Sequence, residues 1–339
     1  MISKKFKRIF AGVLSAAMLA TCGLAALPAK QVHAASKNSD KIVIYSNADD
    51  EAVTSIKKTL DENGYKGQYI FQTYGTNELG PKLIAEGKDI EADMVTMSSY
   101  YLDSAQKKNN MFVKLGFKRE PLQKYPNYYA PFLANQGAIL MNTKVMKEKN
   151  LPTPKSVADL AKPVYKGQLS VVDIKGSSTA WLMVQSLLDN YGTKKTKTIL
   201  KGIYKNAGEN LEQSGSGPIK KVRAGEVALG FGLRHQAVAD KNNGLPVDYV
   251  DPTEGNYTLT ESLAVVKHSD KKKVAKAKKM VQTIIQKGRP DLQKTYPMPI
   301  YKGEQEDANG SKNSKVYPKK LTVNLLKQHI KLSESCKTK

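Results

Sequence analysis

Two spacings of apolar residues take turns along this chain. Lys41–Tyr45 is a short apolar run, and Val53, Ile56 and Leu60 then recur at helical spacing until Gly64. Gln68–Thr73 is a second run, followed by a helix carrying Leu79, Leu83 and Ile84 up to Gly87. Asp93–Met97 is a third run, ending in Ser98-Ser99-Tyr100-Tyr101. Strand, polar turn and helix in repetition predict an α/β unit on a mostly parallel sheet.

Tyr125–Tyr129 breaks the pattern, and Ala134–Asn142 predicts a strand that leaves this first unit. A second α/β unit follows. Leu169–Val172 leads into Asp173-Ile-Lys-Gly-Ser-Ser-Thr-Ala-Trp181, where Trp181, Val184 and Leu188 open a helical stripe. Ser214-Gly-Ser-Gly-Pro218 starts a short helix, with Pro218 suited to a first helical position and Gly225 to its end. Glu226–Phe231 predicts a strand and Gly232–Gln236 the turn after it. Leu259–Lys267 predicts a return strand, and a helix over Lys272–Lys287 and the Tyr296–Ile300 segment follow.

Glycine followed by Ser177, Ser178 and Thr179 leaves backbone amides uncovered at a helix start, which suits an anion. In parallel α/β sheets, ligands sit beyond the carboxyl ends of the strands, so the polar turns are candidates for one crevice. The first unit offers Asn47, Asp49, Thr76, Asn77, Glu78, Ser98 and Ser99. The second offers Ser177, Ser178, Thr179, Ser214, Ser216, Arg234 and His235, and Glu254 precedes the return strand. Each has a plainer role available: Asp49 as a helix cap, Glu78 as a first-turn acid, His235 as a structural histidine. Trp181, the only tryptophan, is expected in the core.

At 339 residues and 40% hydrophobic content the chain suits two domains, or one large one, with ample length for real cores. Lys4, Lys5, Lys7 and Arg8 precede an apolar run from Ile9 to Leu27, and Val32-His33-Ala34 suits cleavage. Residues 1–34 therefore predict an export signal, with lipid attachment at Cys22 as an alternative. Five basic and no acidic residues lie before position 35, leaving +18 of the formal +23. The run Lys271–Lys279 shares a helix with Val274, Ala277, Val281 and Ile284, so its lysines form a solvated face. With no interleaved aromatic platforms and an export signal, nucleic acid is not an expected partner. Cys22 and Cys336 are the only cysteines, which excludes a cysteine metal site; Cys336 sits in a polar tail.

This order of elements resembles the extracellular solute-binding proteins of bacterial ABC importers, in the branch with ferric-, thiamine-, phosphonate- and hexose-phosphate-binding members. The resemblance rests on Ile44-Tyr45-Ser46, Asp93-Met-Val, Asn135-Gln-Gly-Ala-Ile-Leu-Met-Asn142, Ala224-Gly-Glu-Val-Ala-Leu229 and Tyr296-Pro-Met-Pro299. It implies a two-lobed α/β receptor with two hinge crossovers, closing on a solute and delivering it to a membrane permease. The implied division is lobe 1 over 35–134, lobe 2 over 135–258, and a return to lobe 1 with C-terminal helices over 259–339. The receptor is expected to act as an exported monomer without cofactor, tethered or held by an anionic wall. Ferric-binding members use adjacent tyrosines in the turn after the strand that here is Glu226–Phe231. This chain has Leu233-Arg234-His235-Gln236 there, a better match to a carboxylate or phosphate oxygen. The expected cargo is a small anionic solute, a phosphorylated or phosphonate compound such as a sugar phosphate or 2-aminoethylphosphonate. A ferric ion or chelate is the alternative, with Tyr100-Tyr101 and Tyr128-Tyr129 as adjacent pairs. An exported enzyme is disfavoured by the absence of Gly-x-Ser-x-Gly, His-Glu-x-x-His and Cys-x-x-Cys motifs. A wall-bound adhesive protein has only the charge to suggest it.

Overall fold

The computed structural model describes residues 40–305 and 308–337. The predicted export signal, Cys22 and the cleavage site after Ala34 lie outside the described residues. In chain order the first elements are β1 (Ile42–Ser46), α1 (Asp50–Leu60), β2 (Tyr69–Thr73), α2 (Thr76–Glu86), β3 (Met94–Ser98) and α3 (Ser99–Asn109). Then come β4 (Tyr129–Asn142), α4 (Thr143–Glu148), β5 (Leu169–Val172), α5 (Ser178–Ala207), β6 (Leu211–Glu212), α6 (Gly217–Ala224), β7 (Leu229–Leu233) and α7 (Arg234–Asn242). The last are β8 (Val247–Val250), β9 (Asn256–Val265), α8 (Lys271–Thr283), α9 (Arg289–Thr295), β10 (Ser314–Lys315) and α10 (Val323–Glu334).

The strands run in the order β2-β1-β3-β9-β4-β7-β5-β6, with β8 on β4 and β10 on β9. β2, β1 and β3 are mutually parallel, as are β7, β5 and β6, while β9 and β4 run antiparallel between them. β1 is apolar almost throughout because both of its faces are covered. Ile42 and Ile44 face α1 and α8, with Ile56, Leu60, Met280 and Val281 in one core. Val43 and Tyr45 face the other way, into a core with Leu79, Leu83 and Leu102. That second core continues to Trp181, Leu182 and Leu200 of α5.

β4 joins the two halves. Its residues Tyr129–Gln136 pair with β9, and Gly137–Met141 pair with β7. The chain crosses back through Asp251–Gly255, between β8 and β9. The result is a two-lobed α/β fold strung on two crossovers.

Several sequence expectations shift here. α5 runs on to Ala207, because Gly192 takes φ 65° and lets two helical stretches join at a kink. β7 begins at Leu229 and includes Gly232 and Leu233, so Arg234 opens a helix where a turn was expected. Residues 259–339 divide: β9 pairs with β3 and α8 covers β1, whereas α10 packs on α5 and α3. Trp181 Nε1 donates to His329 Nδ1 at 2.7 Å, and Lys337 pairs with Asp173 at 2.6 Å. Cys336 is buried at the end of α10, where the lysine-rich composition suggested a polar tail.

Candidate ligand cleft

Four strand-to-helix turns and the crossover strands enclose a cavity of about 590 Å³. One wall is built from Asn47–Asp50 after β1 and Thr73–Glu78 after β2. The floor has Leu133 and Asn135 of β4 and Glu261 of β9, and the other wall has Gly176–Thr179, Gln213–Ser216 and Lys220. Of the residues singled out in the sequence, Asn47, Asp49, Thr76, Asn77, Glu78, Ser177, Ser178, Thr179, Ser214 and Ser216 line this cavity.

The wall formed by the starts of α5 and α6 is rich in hydrogen-bond donors. Ser177 caps α5, its hydroxyl oxygen accepting from Thr179 N at 3.3 Å. The two starts lie against each other because glycine leaves room. A Cβ on Gly176 would sit 2.4 Å from the Gln213 carbonyl oxygen, and one on Gly215 would sit 2.4 Å from Thr179 Oγ1. Neither helix has an acidic residue in its first turn. The first amides of a helix have no intrahelical acceptor and carry the positive end of its dipole, and two such ends meet here with no carboxylate in either first turn. Thr179 N and Gly217 N already donate to Ser177 Oγ and the Ser214 carbonyl.

The opposite wall is acidic. Asp50 and Glu51 occupy the first turn of α1, and Glu78 that of α2, where its carboxylate accepts from Gly75 N at 3.2 Å. Asp49 caps α1 through Ala52 N at 3.1 Å and accepts from the Tyr296 hydroxyl. His235 Nε2 lies 3.3 Å from the other Asp49 oxygen, and its ring packs on Tyr296 with centroids 4.4 Å apart. Burial alone would raise the Asp49 carboxyl. His235, Tyr296 and the Ala52 amide outweigh it and hold the carboxyl below its ordinary value. Asp49, Glu51 and His235 bring one ligand atom each within 4.8 Å and form the set that can hold a metal ion among the described residues. The cap and the Tyr296 bond both use Asp49 Oδ1, and Oδ2 is the oxygen that faces His235.

Four expected site residues do other work. Arg234, 4% exposed, donates from Nε and Nη2 to Asp251 at 2.7 and 3.0 Å and lies over the Tyr249 ring. It also donates to the Asn309 carbonyl, so its guanidinium is committed away from the cleft. Glu254 accepts from Val157 N, Ala158 N and the Tyr191 hydroxyl at 2.9, 3.0 and 3.0 Å, holding the start of the short helical turn Ala158–Ala161 rather than facing solute. Ser98 is buried and donates to Glu261 at 2.6 Å. Ser99 donates to the Thr260 carbonyl and lines a separate cavity of about 610 Å³ with Ala134 and Gln136. Successive residues of β4 point to opposite faces, so this cavity lies behind the crossover strands and the cleft in front. His235 stays beside the cleft through Asp49 without lining it.

Glu261 is the residue that sequence reasoning missed. It lines the cleft, is 2% exposed, and is the one acidic residue of β9. A single charged residue inside an otherwise uncharged strand was the available signal. Burial, opposed by hydrogen bonds from Ser98 and Asn47, pushes its carboxyl up to about 8. With its amide nitrogen turned toward acceptors, Asn47 donates to Glu261 Oε2 at 3.2 Å and to the Thr96 carbonyl at 3.0 Å, and accepts from Thr76. Tyr74, Asn135, Gln213 and Lys220 also line the cleft. Among the described residues Tyr74 is the tyrosine that does so; Tyr100 and Tyr129 open on the rear cavity and Tyr101 is buried.

The sequence profile of the bacterial extracellular solute-binding proteins matches residues 89–318, most of the chain. The chain belongs to that family. This solute-binding protein is 25% identical over 304 residues to the spermidine/putrescine-binding periplasmic protein of Escherichia coli (strain K12), with 83% of each chain covered. Its fold is shared with AfuA of Actinobacillus pleuropneumoniae, solved with fructose-6-phosphate bound. That pair has TM-score 0.66 and 19% identity over 79% of this chain and 88% of the other. Iron-bound HitA of Pseudomonas aeruginosa also shares the fold (TM-score 0.67, 21% identity, 87% and 99% covered). As a member of this family the protein is exported and binds a small solute for the permease of an ABC importer. Among the described residues no helix is long and apolar enough to cross a membrane.

Proposed function

We propose that this receptor captures a small phosphorylated or phosphonate organic compound, of the sugar phosphate or 2-aminoethylphosphonate kind. Its anionic group sits on the paired starts of α5 and α6, and the body of the solute lies against Asn47, Thr76, Asn77 and Glu78. The observation that carries the reading is the meeting of two helix starts, free of acidic residues, in one cleft with Lys220 beside them. The fructose-6-phosphate bound to AfuA is in keeping with it. No reaction is proposed, and the protein acts as a monomer. The two lobes, 40–134 with 259–305 and 135–258, close by rotation about β4 and the Asp251–Gly255 crossover.

A polyamine is the second reading, favoured by the carboxylates of Asp49, Asp50, Glu78 and Glu261 around the cleft and by the Escherichia coli relative. It leaves the paired helix starts without a partner. A ferric ion fits less well, since the adjacent tyrosines lie off the cleft.

Thermal unfolding of residues 35–339 tests the choice with fructose 6-phosphate, 2-aminoethylphosphonate, inorganic phosphate, spermidine and ferric citrate. A cargo at a hundred times its dissociation constant stabilises the fold by about 2.7 kcal/mol, a clear rise in midpoint. A rise with a phosphorylated or phosphonate compound is expected. A rise with spermidine or iron alone overturns the reading.

A further inference from the structure

We infer that the solute is a zwitterion, and that Glu261 on the cleft floor receives its ammonium group while the α5 and α6 starts hold its anion. This inference rests on the anion site proposed above and names the class of compound it serves.

The charges of the cleft are segregated. The donor-rich wall carries Lys220 and no carboxylate, whereas the facing wall and floor carry Asp49, Asp50, Glu78 and Glu261. A solute with an anion alone would leave those carboxylates facing it. A solute with a cation alone would leave the helix starts unmatched. Asp49 already has Ala52 N, Tyr296 and His235, while Asp50 and Glu78 are exposed at the rim, where water screens their charge. Glu261 accepts from Ser98 through Oε1, and its second oxygen has only the Asn47 amide beside the open cleft.

Glu261 also faces like charge. Asp49 acts on it from the α1 turn, Tyr100 of α3 feels its charge, and Lys220 stands on the opposite wall. Burial keeps it a neutral acid up to about pH 8 in the empty cleft. An incoming ammonium favours the carboxylate, so the bound state has shed that proton to water. Capture of the cation is therefore weak while Glu261 is protonated and strengthens as pH rises toward 8. A solute without a cation gives the opposite sign, because ionised Glu261 would then repel its oxygens.

Titration calorimetry of the intact receptor with 2-aminoethylphosphonate tests this, with ethylphosphonate, fructose 6-phosphate and putrescine alongside. The expected result is affinity rising about tenfold per unit between pH 6 and 8, with about one proton released per solute at pH 7. Ethylphosphonate should bind at least about tenfold more weakly at pH 8 and show no such rise. Glu261→Gln, which imitates the protonated acid, should keep its unliganded thermal midpoint at pH 7 and lose both the rise and the released proton. If ethylphosphonate or fructose 6-phosphate binds as tightly, with affinity flat or falling as pH rises, the ammonium assignment is overturned and the anion site stands. If putrescine binds with the same pH rise and no phosphonate binds, the anion site fails, and the zwitterion with it.

Discussion

Arg234 closes a short network at the crossover: its guanidinium holds Asp251, Asp251 accepts from Asn256 Nδ2 at 2.9 Å, and Asn256 donates to the Gly137 carbonyl at 2.9 Å. Removing the guanidinium leaves Asp251 with the Asn256 amide but no counter-charge, beside the point where the chain crosses back. We expect Arg234→Ala to cost about 3 kcal/mol in denaturant unfolding and to leave solute affinity within about threefold. A variant of unchanged stability that cannot bind would return Arg234 to the ligand. Sequence alone pointed this side chain at an anion because an arginine after a strand is well placed for one. Its true partner lies 17 residues further on, and nothing local announces it. Glu254 misled in the same way, its carboxylate being taken by amides nearly a hundred residues earlier. Ser177–Thr179 and Ser214–Ser216 were legible because glycine and small hydroxyl residues at a helix start have few other uses.

At the scale of elements, the strand-helix alternation of the first hundred mature residues could be read directly. Its apolar runs are short, β1 and β3 are buried throughout, and Gly64 and Gly87 mark where the first two helical stretches stop. α10 was less visible, since its apolar residues are spaced among lysines and its depth depends on where α5 lies. His329 shows how firmly it docks: burial lowers the imidazole to about 4, keeping the ring neutral to accept from Trp181. Its folded value is below the unfolded one. The stability it lends is therefore complete above about pH 6.5 and lost as pH falls through 4. His329→Gln preserves an acceptor for the indole without a titrating ring. Thermal midpoints of this variant should fall less than the parent's between pH 6.5 and 4, and parallel curves would remove His329 from the acid response. Glu261, with its raised value, contributes in the reverse sense, losing stability as pH rises from about 4.5 to 8.

For the whole molecule, the proposed capture has the two halves turning about β4, the strand that both share. Saturating solute should lower the radius of gyration measured by small-angle scattering. A full thermal shift with an unchanged radius would mean capture without closure. The high positive charge bears on this scale too: lysines spread over the surface attract anions from a distance. The two cavities lie on opposite faces of β4, one lined by Leu133 and Asn135, the other by Ala134 and Gln136. On the proposed closure the front cavity shuts between the lobes, whereas the rear one is walled almost wholly by residues of 99–134, 258–260, 297–300 and 310–321. It travels with one jaw like a saddlebag, so a molecule lodged in it would leave the grip on the cargo untouched.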